Sequence, residues 1–106
     1  IENLPKENLK HIFILSDGLN MNGSFLAQGA TQAVNSEIPI TGGLAGDGTA
    51  FEETWVIAND IASQKRMVAV GFYGNSFHIS SGCNAGWEEF GIYRRITKSI
   101  NNIVYE

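Results

Sequence analysis

The sequence predicts a mixed α/β (α+β) domain: one βαβ unit followed by an antiparallel meander, giving a mixed sheet with few helices. Three observations lead there. An apolar run, His11 to Ser16, is rich in β-branched and aromatic residues. A segment with helical spacing follows it, and then a second short apolar run. After Gly48 the chain breaks into short β-rich stretches separated by turn residues.

Each element has a local reason. His11 to Ser16 is continuous and apolar, as a buried strand requires. Asp17 to Gly23 is polar and reads as a loop. A helix is expected from about Ser24 to Val34, capped by Asn22 or Ser24. Phe25, Leu26, Ala30, Ala33 and Val34 share one face of it. Ile38 to Thr41 is the second strand, parallel to the first through the helical crossover. Trp55 to Ala58, Met67 to Tyr73 and Phe77 to Ser80 read as strands, with Gly74-Asn75 as a hairpin turn between the last two. Ile92 to Thr97 and Ile103 to Tyr105 form a further pair, turned at Asn101-Asn102. Phe13, Trp55, Val68, Val70, Phe72 and Ile79 are expected in the core. One helix cannot cover both faces of such a sheet, so a neighbouring segment or a second copy in a homodimer is expected to do so.

Composition narrows the function. The chain has 106 residues, the size of one small domain. Its net charge of −4, without a basic stripe, argues against binding a phosphate backbone, so no nucleic-acid partner is expected. Charged residues make up only 17%, which implies apolar surface covered by a partner or by further chain. A single cysteine, Cys83, fits a reducing, cytoplasmic setting. No apolar run reaches the length of a membrane span, so no membrane insertion is expected. The start at Ile1, without Met or a signal-peptide pattern, reads as a domain taken from a longer protein.

Two corners carry the functional reading. Gly42-Gly43-Leu44-Ala45-Gly46-Asp47-Gly48 holds four glycines and a carboxylate in seven residues, a run poor for helix and for strand. Ser16-Asp17-Gly18 closes the first strand. Ligands of parallel sheets gather beyond the carboxyl ends of strands, where both corners fall. The glycine run could present N–H groups to an anion. It is neither a P-loop, since no Lys-Ser/Thr follows, nor a dinucleotide fingerprint. Asp47, with Glu52 and Glu53 near it, suits a ligand ammonium, and an α-amino acid offers both charges. The plainer alternatives are a crossover loop for the glycines and an Asx-turn for Asp17. No nucleophile with a neighbouring base accompanies the two aspartates, so no enzymatic activity is expected. Trp87, between glycine and glutamate, could roof a pocket or plug the core. His11 reads as structural; His78 reads as solvated or hydrogen-bonded, or else as lining a pocket or ligating a metal. Cys83 has no partners for a zinc set, and Cys-x-x-Cys-His is absent.

Taken in order, these motifs resemble the N-terminal part of the FIST domain. Ser16-Asp17-Gly18 is similar to its strand-end corner, and Ile38-Pro39-Ile40-Thr41-Gly42-Gly43-Leu44-Ala45-Gly46-Asp47 to its Pro-led strand running into Gly-Gly-x-Ala-x-Asp. Gly86-Trp87 with Gly91 resembles Gly-Trp-x-Pro-x-Gly, with Glu89 in the proline slot. Ile96-Thr97-Lys98 and Asn101 to Glu106 resemble the hairpin that comes next. The resemblance implies that residues 1–106 are a single partial domain, the later half of that N-terminal part. It implies sensing of a small ligand, with amino acids and related metabolites favoured, and a signal passed to a separate output module on the parent chain. Asp17, Gly18, Gly42, Gly43, Gly46, Asp47 and Trp87 are the ligand-binding candidates. No cofactor is expected on this reading. A haem-based sensor of nitric oxide, with His78 as axial ligand, is one alternative; a non-catalytic structural or dimerisation domain is another.

Overall fold

A computed structural model describes residues 3–34, 37–101 and 103–106. The chain folds as β1 (Leu9–Ser16), α1 (Gly23–Val34), β2 (Ile40–Leu44), β3 (Val56–Ala58), β4 (Ile61–Ser63), β5 (Met67–Tyr73), β6 (Ser99–Ile100) and β7 (Ile103–Val104). A three-stranded mixed sheet has the order β2-β1-β5. β1 and β2 run parallel across α1, with Ile12 opposite Ile40 and Ser16 opposite Leu44. β5 returns antiparallel to β1, with Phe13 opposite Val70. Two small antiparallel pairs, β3-β4 and β6-β7, complete the architecture. The fold class is the mixed α/β arrangement that the residue pattern predicts.

The helix starts one residue before the expected bound, and its cap is Asn22. The Asn22 side-chain oxygen accepts from the N–H groups of Ser24 at 3.0 Å and Phe25 at 3.2 Å. These are donors that the first helical turn leaves unpaired. Asn22→Ala is therefore expected to destabilise the domain by about 0.5–2 kcal/mol, and Asn22→Asp to be close to neutral, as read by thermal unfolding.

The core lies between α1 and one face of the sheet. Leu9, Ile12, Ile14, Ala30 and Val34 are buried there, with Leu26, Ile40, Met67 and Ala69 packed around them. Within β1 the register shifts between Leu9 and His11, a bulge at Lys10. The extra residue puts Leu9 on the helix side with Ile12 and Ile14, and turns His11 to the opposite side. His11 is buried all the same, sharing a 2.8 Å hydrogen bond with Thr41 and meeting Phe72 edge-on.

Several sequence expectations need correction. Phe13, Val70, Phe72, Ile79 and Trp55 are exposed by 38–51%, and Val68 is only half-buried. Phe13, Val68, Val70 and Phe72 alternate with the core residues of β1 and β5 and so occupy the second face, which α1 does not reach. On α1, Phe25 likewise points away from the core, at 57% exposure. Phe77 to Ser80 is not a strand. Gly74 N–H bonds the Asn8 carbonyl instead of closing a hairpin, and Phe77 and Ile79 lie beside His11, Phe13 and Phe72 on the uncovered face. Ile92 to Thr97 forms no ladder; the last hairpin begins at Ser99 and turns through Asn101, while Asn102 lies outside the described residues. The β3-β4 hairpin was not expected. Its two-residue turn, Asn59-Asp60, holds φ at +51° and +63°, as a type I′ turn requires.

The largest revision concerns the glycine run. Gly42, Gly43 and Leu44 belong to β2 instead of a loop. A Cβ on Gly42 would sit 1.8 Å from the Ile14 carbonyl oxygen, so glycine is what lets β2 lie against β1. The lack of side chains that spoils a solitary strand here allows a close backbone pairing.

Candidate functional site

The two Gly/Asp corners do meet. Ala45 N–H donates to the Ser16 carbonyl at 2.7 Å, and a Cβ on Gly18 would lie 2.0 Å from the Ala45 carbonyl oxygen. Their junction is closed by backbone contact, so no hollow opens between them there.

Asp17 is fully buried at this junction and its carboxylate is saturated. One oxygen accepts from the N–H groups of Leu19 at 2.8 Å and Asn20 at 2.9 Å, and from the Thr54 hydroxyl at 2.7 Å. The other accepts from the Asn20 side chain at 2.9 Å and the Lys65 N–H at 2.6 Å. Thr54, itself buried, also accepts from the Gly18 N–H at 3.0 Å. These donors hold the Asp17 carboxyl well below the usual carboxylate range, the Asn20 and Lys65 backbone N–H groups foremost, against the opposing cost of burial. The geometry is that of an Asx-turn extended into a three-segment staple: residues 17–20, Thr54 and Lys65 close on one carboxylate.

Asp47 is committed in the same manner, on a smaller scale. It accepts from the N–H groups of Glu52 at 2.7 Å and Glu53 at 3.1 Å, which closes the loop after β2 and lowers its pKa, the Glu52 contact contributing most. Gly46 lies in this loop with open space around it. Trp87 is 92% exposed within residues 75–101, a stretch exposed throughout.

Open space lies one step back along β2. A concavity of about 580 Å³ is walled by Gly23, Leu26 and Ala27 of α1, by all five residues of β2, and by Ser81 to Cys83. Among the seven candidates, Gly42 and Gly43 line it; Asp17, Gly18, Gly46, Asp47 and Trp87 do not. Among the described residues β2 is an edge strand, paired in its sheet with β1 alone. Ile12 N–H bonds the Pro39 carbonyl and Ala45 N–H bonds Ser16, so the odd-numbered residues of β2 serve the ladder with β1. By the alternation of a parallel ladder, the N–H and C=O groups of Ile40, Gly42 and Leu44 face outward, along the concavity's border. His78 lies elsewhere, with Lys10 and His11 along a second hollow of about 340 Å³.

The residues that reasoning from sequence overlooked are Thr54 and Lys65, which reach Asp17 across 37 and 48 positions of chain, and the helix residues facing β2. Among the described residues no helix is long and apolar enough to cross a membrane.

Comparison with known families agrees with the order of these motifs. The family model described as the FIST N domain matches residues 2–106. The chain belongs to this family, whose members are sensory domains of signal-transduction proteins. Comparisons with curated proteins and with solved structures return no match.

Proposed function

We propose that this sensory domain binds a small metabolite, an amino acid or a relative of one, in the concavity between α1 and β2, and passes the signal to a separate output module of its parent chain. The observation that supports this most is the combination of a mostly apolar hollow with outward backbone donors and acceptors of Gly42 and Leu44 at its border. Gly42 and Gly43 leave those groups uncrowded by side chains, so a ligand's carboxylate can reach an N–H and its ammonium a carbonyl. No catalytic step is part of this reading: the two corner aspartates are occupied in holding loops. The haem alternative rests on His78, which lies along a separate hollow with Lys10 and His11 and does not line this concavity. Binding shifts the population between arrangements of β2 and α1, and contacts with the rest of the parent carry the shift onward.

Calorimetry across a panel of amino acids and their amide and amine derivatives tests this. At least one should bind, and Ala27→Trp, which fills the hollow from an exposed helix position, should weaken it by tenfold or more. A panel without any binder, or a binder indifferent to Ala27→Trp, would remove this site from consideration.

A further inference from the structure

The walls of the concavity between α1 and β2 grade from apolar at depth to polar at the mouth. Ile14 is buried in the core at 5% exposure and still lines the hollow, so it forms the floor. Half-buried Leu26 and Ile40 stand above it, with Ala27 and Leu44 exposed beyond them. Thr41 sends its hydroxyl to His11, on the other side of the sheet. That leaves Ser81 and Cys83, both exposed, as the polar side chains of the lining. Among the described residues no acidic or basic side chain and no histidine borders the hollow. Every α-amino acid carries the same ammonium and carboxylate, so those groups cannot choose between amino acids. Selection falls to the side chain, and the side chains that meet it at depth are aliphatic.

Resting on the amino-acid reading of this concavity, we propose that its ligand is an amino acid with an apolar side chain. That side chain inserts toward Ile14, and the ammonium and carboxylate stay at the mouth. An apolar side chain leaves water there and gains contact with Ile14, Leu26 and Ile40. A carboxylate, ammonium or amide at the same depth leaves water as well, but no side chain there replaces its lost hydrogen bonds. The charged head group, held at the mouth, is spared that cost. Leucine and asparagine make the contrast cleanest. Their side chains have nearly the same branched outline, so size drops out and polarity remains. Aspartate adds a full charge to that outline and should be the least welcome of the three.

Calorimetry with leucine, phenylalanine, asparagine and aspartate tests the assignment. Leucine or phenylalanine should bind at least tenfold more tightly than asparagine and aspartate. Its binding should grow more exothermic on warming, as burial of apolar surface requires. Ala27→Trp should weaken it by tenfold or more, and in isotope-edited NMR spectra its side chain should contact the methyl groups of Ile14 and Leu26. Asparagine or aspartate binding as tightly as the apolar pair, and weakened by Ala27→Trp, overturns the side-chain assignment and leaves the concavity as the site. An apolar ligand whose side chain touches neither Ile14 nor Leu26 overturns it too. Should no amino acid bind, apolar or polar, or should Ala27→Trp change nothing, the concavity reading itself falls and the side-chain assignment with it.

Discussion

Asp17→Ala is expected to lower the thermal unfolding midpoint by on the order of 10 °C or more, the largest effect of any single side chain in the domain. Five donors converge on this carboxylate, three of them backbone N–H groups, and the site is closed to water. Removing the acceptor strands all of them together, and an unpaired buried donor costs more than a formed bond contributes. Asp17→Asn keeps the shape but sets an amide donor against donors, so it too should destabilise. The two variants differ from wild type in acid. The folded carboxyl titrates below its unfolded value of about 3.9. Its contribution is therefore complete above that value and is lost as pH falls through it toward the folded pKa. Wild-type stability should decline below about pH 4, and Asp17→Asn should show a flatter decline. Denaturant midpoints measured from pH 7 down to pH 2.5 check this; parallel curves for the two proteins would refute the assignment.

Gly42→Ala ranks second. Its methyl would lie 1.8 Å from the Ile14 carbonyl oxygen and 2.7 Å from the carbon that bears it, both backbone atoms at the centre of β1. No rotamer change relieves such a contact, so β2 must move away from β1. The cost should reach or exceed the ~1–3 kcal/mol of ordinary overpacking. Gly43→Ala supplies the control one residue along, with nothing within 4 Å of the added atom, and should be neutral or slightly stabilising. Urea unfolding of the pair measures the difference. Equal stabilities would mean that β2 does not approach β1 as closely as described.

Much of this was readable from the residues alone, and the failures share one cause. β1, α1 and β5 declare themselves through local pattern, and Met67–Tyr73 has the bounds that its composition suggests. Patterns that depend on a partner mislead. Gly42 and Gly43 look like loop because glycine alone does not favour extension, yet the neighbouring strand wants their bareness. Phe77 and Ile79 alternate as a strand should, but no edge receives them, and they lie against the sheet face instead. Phe13, Val70 and Phe72 are apolar enough for a core that a single helix cannot supply on both sides. The Asn59-Asp60 turn carries a usable signal, an Asn-Asp pair between Val56-Ile57-Ala58 and Ile61. At the site, the Asp-Gly corner marks Asp17 as a turn residue, the plainer of its two readings, while its partners Thr54 and Lys65 are fixed only by tertiary folding.

The staple at Asp17 also decides where the chain tolerates engineering. Residues 45–66 look like a permissive surface excursion, with short strands and many exposed side chains. Two points inside it, Thr54 and Lys65, are moored to the end of β1, so a fluorescent tag or affinity handle spliced between them would tug on both moorings. Residues 84–95 hold no helix or strand, no such mooring and no wall of the concavity, and they are where a reporter can be grafted with least disturbance.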